Sequence, residues 1–188
     1  QGAPFDVLLS ADTQRPEQLV RDGLAVPASR FTYAIGRLAL WSAKPGVIDD
    51  QGEFLNRGHY RLLAMANPQT APYGAAAREL LERLKLWDGL QARRQIVTGE
   101  SIAQAMQFAT SGSVDAAFVS LAQIAGAAKP AGGSWWLPPQ ELYAPIQQDA
   151  VLLTRSVQRD AATQLLQWLR TDVSVRQSLQ AAGYRTLP

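Results

Sequence analysis

Apolar and polar positions follow two rhythms along this chain. Phe5-Asp6-Val7-Leu8-Leu9-Ser10 is an apolar run ended by Ser10-Ala11-Asp12, which predicts a short buried strand. Pro16 to Gly23 predicts a short helix, with Pro16 near its first turn, Leu19 and Val20 inward and Gly23 as its stop. Tyr33 to Ser42 is a longer apolar run rich in strand formers, and residues 43–58 carry the turn chemistry of Pro45-Gly46, Asp49-Asp50 and Gly52. The alternation then repeats. Arg61 to Ala66 predicts a strand, and Gly74 to Leu86 a helix with Ala77, Leu80, Leu81 and Leu84 at three-and-four spacing. Arg94 to Val97 predicts a strand, Ser101 to Ala109 a helix built on Ile102, Ala105, Met106 and Ala109, and Val114 to Val119 another strand. Residues 126–140, with Trp135-Trp136 and Pro138-Pro139, predict a loop or an edge segment packed on a neighbouring lobe. Val151-Leu152-Leu153 is a further strand, and Arg159 to Arg170 and Val173 to Ala182 are closing helices, the last stopped by Gly183.

Alternating strands and helices predict an α/β fold with mainly parallel sheets. Two long strands, Tyr33–Trp41 and Tyr143–Leu153, bracket the middle block. Such a pair carries a chain out to a second lobe and back. The expected division is residues 1–36 and 146–188 in one lobe and 37–145 in the other, with a hinge between them.

Composition narrows the function classes. Hydrophobic residues at 47% and charged residues at 18% describe a folded chain, and 188 residues suffice for one core or two small lobes. The net charge is only +2 and the basic residues are scattered, Arg93-Arg94 being the only adjacent pair. A nucleic-acid surface, DNA included, needs clustered cations to release counterions, so that class is set aside. The absence of cysteine removes disulfides, thiolate metal sites and cysteine nucleophiles. No apolar run reaches the roughly 18 residues of a membrane-spanning helix. The chain opens on Gln1-Gly2-Ala3-Pro4, without a Met start or a signal peptide, as if in mid-domain.

Enzymatic chemistry finds little footing. His59, the only histidine, sits in a Gly-flanked turn away from any serine elbow and reads as a solvated loop residue. Asp49-Asp50 reads as a plain turn pair, no His/Asp/Glu cluster suggests a metal site, and no glycine pattern resembles a phosphate loop. The expectation is a protein that is not an enzyme and needs no cofactor.

Two helix starts remain as candidate chemistry. Asn67-Pro68-Gln69-Thr70-Ala71-Pro72-Tyr73-Gly74 feeds the helix at 74–86. Pro72 has no N–H, Gly74 lets another group approach the backbone, and the N–H groups of Tyr73, Gly74 and Ala75 stand at the positive end of the helix dipole. Thr98-Gly99-Glu100-Ser101-Ile102 repeats the theme, with Thr98 or Ser101 as a cap whose hydroxyl could also donate, and with Glu100 in the first turn. Helix N-termini of this kind bind anions. An ordinary capped helix start is the other reading of each.

A family resemblance chooses between these readings. Gly2-Ala3-Pro4-Phe5-Asp6-Val7-Leu8-Leu9-Ser10-Ala11-Asp12 resembles the G-A-P-A-D-V-F-x-S-A-D stretch of molybdate-binding periplasmic proteins, the solute receptors of molybdate ABC transporters. Gly23-Leu24, Tyr33 to Trp41, Asn67-Pro68 through Gly74, Leu86-Trp87, Gly99 to Ile102, Gly112 to Ser120 and Gly183-Tyr184 continue the match in order over essentially the whole chain. The resemblance implies a type II periplasmic-binding-protein-like fold, two α/β lobes joined by two crossing strands that close on a tetrahedral oxyanion, molybdate or tungstate. It implies ligand donors at Tyr73 and Ile102, through backbone N–H groups that meet molybdenum as molybdate, with Gly74 and Ser101 beside them. It places Ser120 where some members carry a ligand tyrosine. The implied partners are the oxyanion and the membrane subunit of an ABC transporter, in the periplasm.

Members of this family carry roughly sixty residues ahead of the Gly-Ala-Pro motif, about half a small domain, with serine loops that complete the site. The first lobe is therefore expected to be incomplete here, to expose a sheet edge and to invite a homodimer through it. Two other classes stay open: the effector-sensing domain of a LysR-type transcription regulator, which shares the two-lobed fold, and a receptor for another anion. An organic-acid receptor would want a carboxylate-clamping Arg, and none adjoins either helix start.

Overall fold

The computed structural model describes residues 4–125 and 132–187, so Gly2, Ala3 and the first part of the 126–140 segment lie outside the described residues. The chain divides into two compact units, Gln1–Gly36 with Ile146–Pro188, and Arg37–Pro145. The first unit begins with β1 (Val7–Leu9), α1 (Gln14–Arg21) and β2 (Phe31–Gly36). The second runs through β3 (Leu38–Ser42), α2 (Glu53–Arg57), β4 (Leu63–Ala66), α3 (Pro72–Arg83), α4 (Trp87–Ala92), β5 (Ile96–Gly99), α5 (Ile102–Thr110), β6 (Ala116–Ser120), α6 (Leu121–Ile124) and β7 (Ser134–Trp136). The chain then returns to the first unit as β8 (Ile146–Leu152), α7 (Arg159–Thr171) and α8 (Val173–Ala181).

In the first unit β8 lies between β1 and β2 and runs antiparallel to both. The sheet is antiparallel because β8 is the returning leg of the chain, inserted between two outgoing strands. The single apolar run Tyr33–Ser42 is two strands, split at Arg37: β2 belongs to this sheet and β3 to the other. The expected buried strand at Phe5–Ser10 is a three-residue edge strand, with Val7 and Leu8 half-buried and Leu9 exposed. Leu19 and Val20 of α1 pack with Leu8, Ala25, Val151 and Leu153. Ala162, Leu166 and Leu169 of α7 pack with Val7, Phe31, Ala150 and Leu152. Alternate residues of β8 thus serve opposite faces, as the pleat requires. Asp149, 2% exposed in the middle of β8, accepts from Thr32 Oγ1 at 2.7 Å and faces the Arg30 guanidinium at 3.3 Å. Asp6 accepts from Ser156 Oγ (2.7 Å) and from the N–H groups of Val157 (3.0 Å) and Gln158 (3.1 Å), tying the β1 end of the unit to the entry of α7.

The second unit holds a five-stranded sheet of order β5-β4-β6-β3-β7. Only β5, β4 and β6 are parallel; β3 and β7 run antiparallel to their neighbours, so the expectation of mainly parallel sheets is too broad. Parallel pairing needs a crossover, and α3 and α5 supply it only between β4, β5 and β6. One face of the sheet buries Ala39, Trp41, Ala64, Ala117 and Val119 against Ala105 and Ala109 of α5. The alternate residues Leu38, Leu40, Met65 and Phe118 are buried on the opposite side of the pleat. Trp136 pairs with Leu40 and is buried at this sheet's own edge, while Trp135 is exposed.

The 43–58 segment, expected to be all turn, contains α2. Asp49 is the reason: its carboxylate accepts from the N–H groups of Gln51 (3.1 Å), Glu53 (2.8 Å) and Phe54 (2.8 Å), organising the helix start. Gly52 precedes it at φ +77°, with the Trp136 ring where a Cβ would stand. Phe54 and Leu55 are buried from this single turn and a half.

Burial pushes the Asp49 carboxyl up, but the hydrogen bonds from Glu53, Gln51 and Phe54 and the charge of Arg57 outweigh it and hold it below the usual value. A depressed folded pKa stabilises the fold above the unfolded carboxylate pKa and ceases to do so as pH falls through the folded one. Asp49→Ala is expected to lose about 1 kcal/mol at pH 7, as for a lost helix cap. The difference from the parent should begin to shrink below about pH 4, where the unfolded carboxyl protonates, and vanish as pH falls through the depressed folded pKa. Urea midpoints at pH 7 and pH 3 check this; an equal gap at both would refute the assignment.

Candidate oxyanion site

The site is built at the carboxyl ends of the three parallel strands. Ala66 at the end of β4 is the register partner of Gly99 at the end of β5, and the Asn67 N–H donates to the Gly99 carbonyl at 2.8 Å. The chain goes from β4 to its neighbour β5, then passes back to β4's other neighbour, β6. Connections leaving in opposite directions create the switch point at which open α/β sheets hold ligands.

After β4, Asn67 folds the loop on itself. Its carbonyl accepts from the N–H groups of Thr70 (3.2 Å) and Ala71 (2.9 Å), and its side-chain oxygen accepts from Gln69 N–H (3.0 Å). Ala71 is then the N-cap of α3 and Pro72 the first helical residue, where its missing N–H and fixed φ suit the helix start. The first intrahelical bond runs from Ala75 N–H to the Ala71 carbonyl at 3.0 Å. Ala75, expected as a third donor, is thereby engaged; Tyr73 and Gly74 carry the N–H groups ahead of that bond. Both residues are buried. The Gly74 requirement also differs from expectation. A Cβ there would land on the Ala66 carbonyl, so the close approach is that of α3 to its own strand.

After β5, Ser101 caps α5 in an extended conformation (φ −144°, ψ 163°) and accepts the Gln104 N–H at 3.2 Å. Gln104 returns its side-chain oxygen to the Glu100 N–H at 2.6 Å, a variant of the capping box. Glu100 lies before the cap rather than in the first turn, and Thr98 lies in β5 rather than at the cap. With Ala105 N–H bonded to the Ser101 carbonyl at 3.1 Å, Ile102 and Ala103 are the N1 and N2 residues of α5, without an intrahelical acceptor. Nothing in the residue type of Ala103 marks it. Its place follows once Ser101 is known to be the cap. The Ser101 oxygen accepts from the backbone, and its hydroxyl proton is left to donate outward.

Gln123 joins the third strand to this cluster. Its side-chain oxygen accepts from Ser120 N–H (2.9 Å) and Ser120 Oγ (3.1 Å), while Nε2 donates to the Ile102 carbonyl at 3.3 Å. The Ser120 hydroxyl is therefore engaged inside this unit. No acidic residue stands in the first turn of α3 or α5. His59 is exposed, and no group of three or more His, Asp or Glu converges among the described residues. The arrangement offers neutral donors to an anion.

Residues 1–185 match the family described as bacterial extracellular solute-binding protein. This chain belongs to that family. Among its relatives, the molybdate-binding protein of Azotobacter vinelandii is 46% identical over 97% of this chain and 71% of its own length. The molybdate-binding protein of Rhodobacter capsulatus is 45% identical over 99% of this chain and 71% of its length. The solved periplasmic molybdate-binding protein of A. vinelandii superposes with a TM-score of 0.92 at 45% identity, covering 100% of this chain and 80% of that one. The solute-binding family, the α/β fold and the resemblance to molybdate receptors are thus established together.

For this solute-binding protein, Gly74→Ala is expected to force α3 off the end of β4 and to lower stability by about 1–3 kcal/mol, as overpacking does. Chemical denaturation reads the change; a loss under about 0.5 kcal/mol, the usual span of a neutral surface substitution, would show that the Cβ is tolerated.

Proposed function

We propose that this protein captures molybdate, or tungstate, in the periplasm for the membrane subunit of an ABC importer, and that it is a receptor without catalytic chemistry or a cofactor. The observation that carries the reading is the pair of helix N-termini at adjacent strand ends, free of fixed charge, in a chain 45–46% identical to molybdate-binding proteins. The proposed donors from this unit are the N–H groups of Tyr73, Gly74 and Ile102 and the Ser101 hydroxyl, with Ala103 N–H beside them. Hydrogen bonds to a charged group contribute more than neutral ones, so several such donors offset the desolvation of a dianion. The identity to molybdate receptors favours this reading over the sensing domain of a transcription regulator. Sulfate shares the charge and tetrahedral shape of molybdate, so its exclusion rests on size.

The position of Ile102 allows a backbone test. Proline is tolerated at N1 of a helix, and the extended Ser101 already has the conformation that precedes proline. Ile102→Pro therefore deletes one N–H and leaves α5 in place. Calorimetric titration with molybdate, tungstate and sulfate would use the chain with and without an N-terminal extension taken from the A. vinelandii relative. Binding of molybdate and tungstate but not sulfate is expected in a binding-competent form. Ile102→Pro should weaken it by about 10- to 100-fold, the worth of one hydrogen bond to a charged group, and Ile102→Val should leave it unchanged. Failure of every form to bind any of the three anions would overturn the reading.

A further inference from the structure

The first unit contains a cavity of about 430 Å³ between β2, the end of α7, α8 and the C-terminal Thr186-Leu187. Phe31, Tyr33, Leu169 and Leu179 supply apolar wall, and Arg170 and Arg176 supply charge. Most of its other polar side chains already have partners. Thr32 donates to Asp149 (2.7 Å), Tyr33 to Gln148 (3.1 Å) and Thr171 to the Gln167 carbonyl (2.9 Å); Thr186 accepts from Gln180 (2.9 Å). Asp172 also lines the cavity, and its Oδ1 accepts the N–H groups of Ser174 (2.7 Å) and Val175 (3.4 Å) to cap α8.

The two guanidinium groups stand apart from this economy. Among the described residues neither makes an ion pair or a hydrogen bond; Arg170 only lies over the Phe31 ring, 5.6 Å from its centroid. Two forked cations against one carboxylate leave a single excess positive charge on a cavity with aromatic and leucine walls. A guanidinium fork matches a carboxylate in two parallel hydrogen bonds. The volume falls within the range of small-molecule pockets, which pair apolar lining with a few convergent polar groups.

We propose that this cavity binds a small monocarboxylate with an aromatic or branched apolar body, its carboxylate held by Arg170 and Arg176. Every residue of the cavity lies in the unit opposite to the oxyanion donors in the chain's division, and the proposal does not depend on the oxyanion reading.

Phenylacetate is the probe, with acetate (charge without body) and phenylacetamide (body without charge) as controls, each titrated with and without saturating molybdate. Phenylacetate is expected to bind at least about tenfold more tightly than either control. Arg170→Gln and Arg176→Gln should each weaken it by about tenfold or more, while Arg170→Lys, which keeps the charge, retains part of it. Thermal melts confirm that the variants fold. Binding that is unchanged in both Gln variants, acetate binding as tightly as phenylacetate, or no phenylacetate binding up to about 10 mM, each overturns the proposal. Loss of molybdate binding with phenylacetate binding intact would count against the oxyanion reading alone.

Discussion

The absence of one Cβ fixes the geometry of the proposed donor cluster. Gly74 lies where the Ala66 carbonyl would meet any side chain, so α3 begins almost in contact with the strand that leads into it. The Asn67 N–H then bonds the Gly99 carbonyl, which holds the β4 exit against the β5 exit. These two contacts bring the start of α3 and the start of α5 to the same edge of one rigid sheet. Helix dipoles act within about a turn of the helix end, so two of them reinforce each other on one ion only under such close control.

Within that frame, hydrogen bonds between neutral groups decide which donors remain. Asn67, Ser101, Gln104 and Gln123 engage the loop and cap N–H groups around them. The earliest N–H groups of α3 and α5 lie ahead of the first intrahelical bonds. No Lys, Arg, Asp or Glu intervenes in the first turn of either helix. A fixed cation there would draw any anion, carboxylates included. Neutral donors at set positions reward only an ion whose oxygens reach them.

The parts of this arrangement that were legible in the sequence are those with local causes. Pro72 and Gly74 marked the α3 start, Ser101 was one of two candidates for the α5 cap, and Gly183, at φ +92°, marked the end of α8. What escaped depended on partners distant in sequence. Strand direction is not written in an apolar run, so Tyr33–Ser42 did not show that it is two strands, each antiparallel to its partner, with Gly36 against Ile146 and Leu38 against Ser120. Helix α2 is too short to show a period, and it rests on Asp49 and on a Trp136 ring more than eighty residues away, which no spacing rule connects. The engagement of Ser120 by Gln123 is local by contrast, a Ser-x-x-Gln capping box, and it was missed because the helix it opens is only four residues long.

On the proposed reading, selectivity between anions follows from rigidity rather than charge. Molybdate and sulfate present the same charge in the same tetrahedral shape, so a donor set able to drift by a few tenths of an ångström would fit both. Drift is opposed at three points: Gly74 abuts the β4 carbonyl, Ser101 and Gln104 cross-brace the first turn of α5, and Gln123 ties the end of β6 to the Ile102 carbonyl. Each brace joins backbone groups at element ends rather than in a flexible loop, and a site held by such second contacts keeps its geometry when the ligand leaves. On the proposed reading, size discrimination belongs to these braces as much as to the donors. Changes at Gln104 or Gln123, neither of which need touch the anion, would then alter the preference between anions more than they alter the affinity for any one of them.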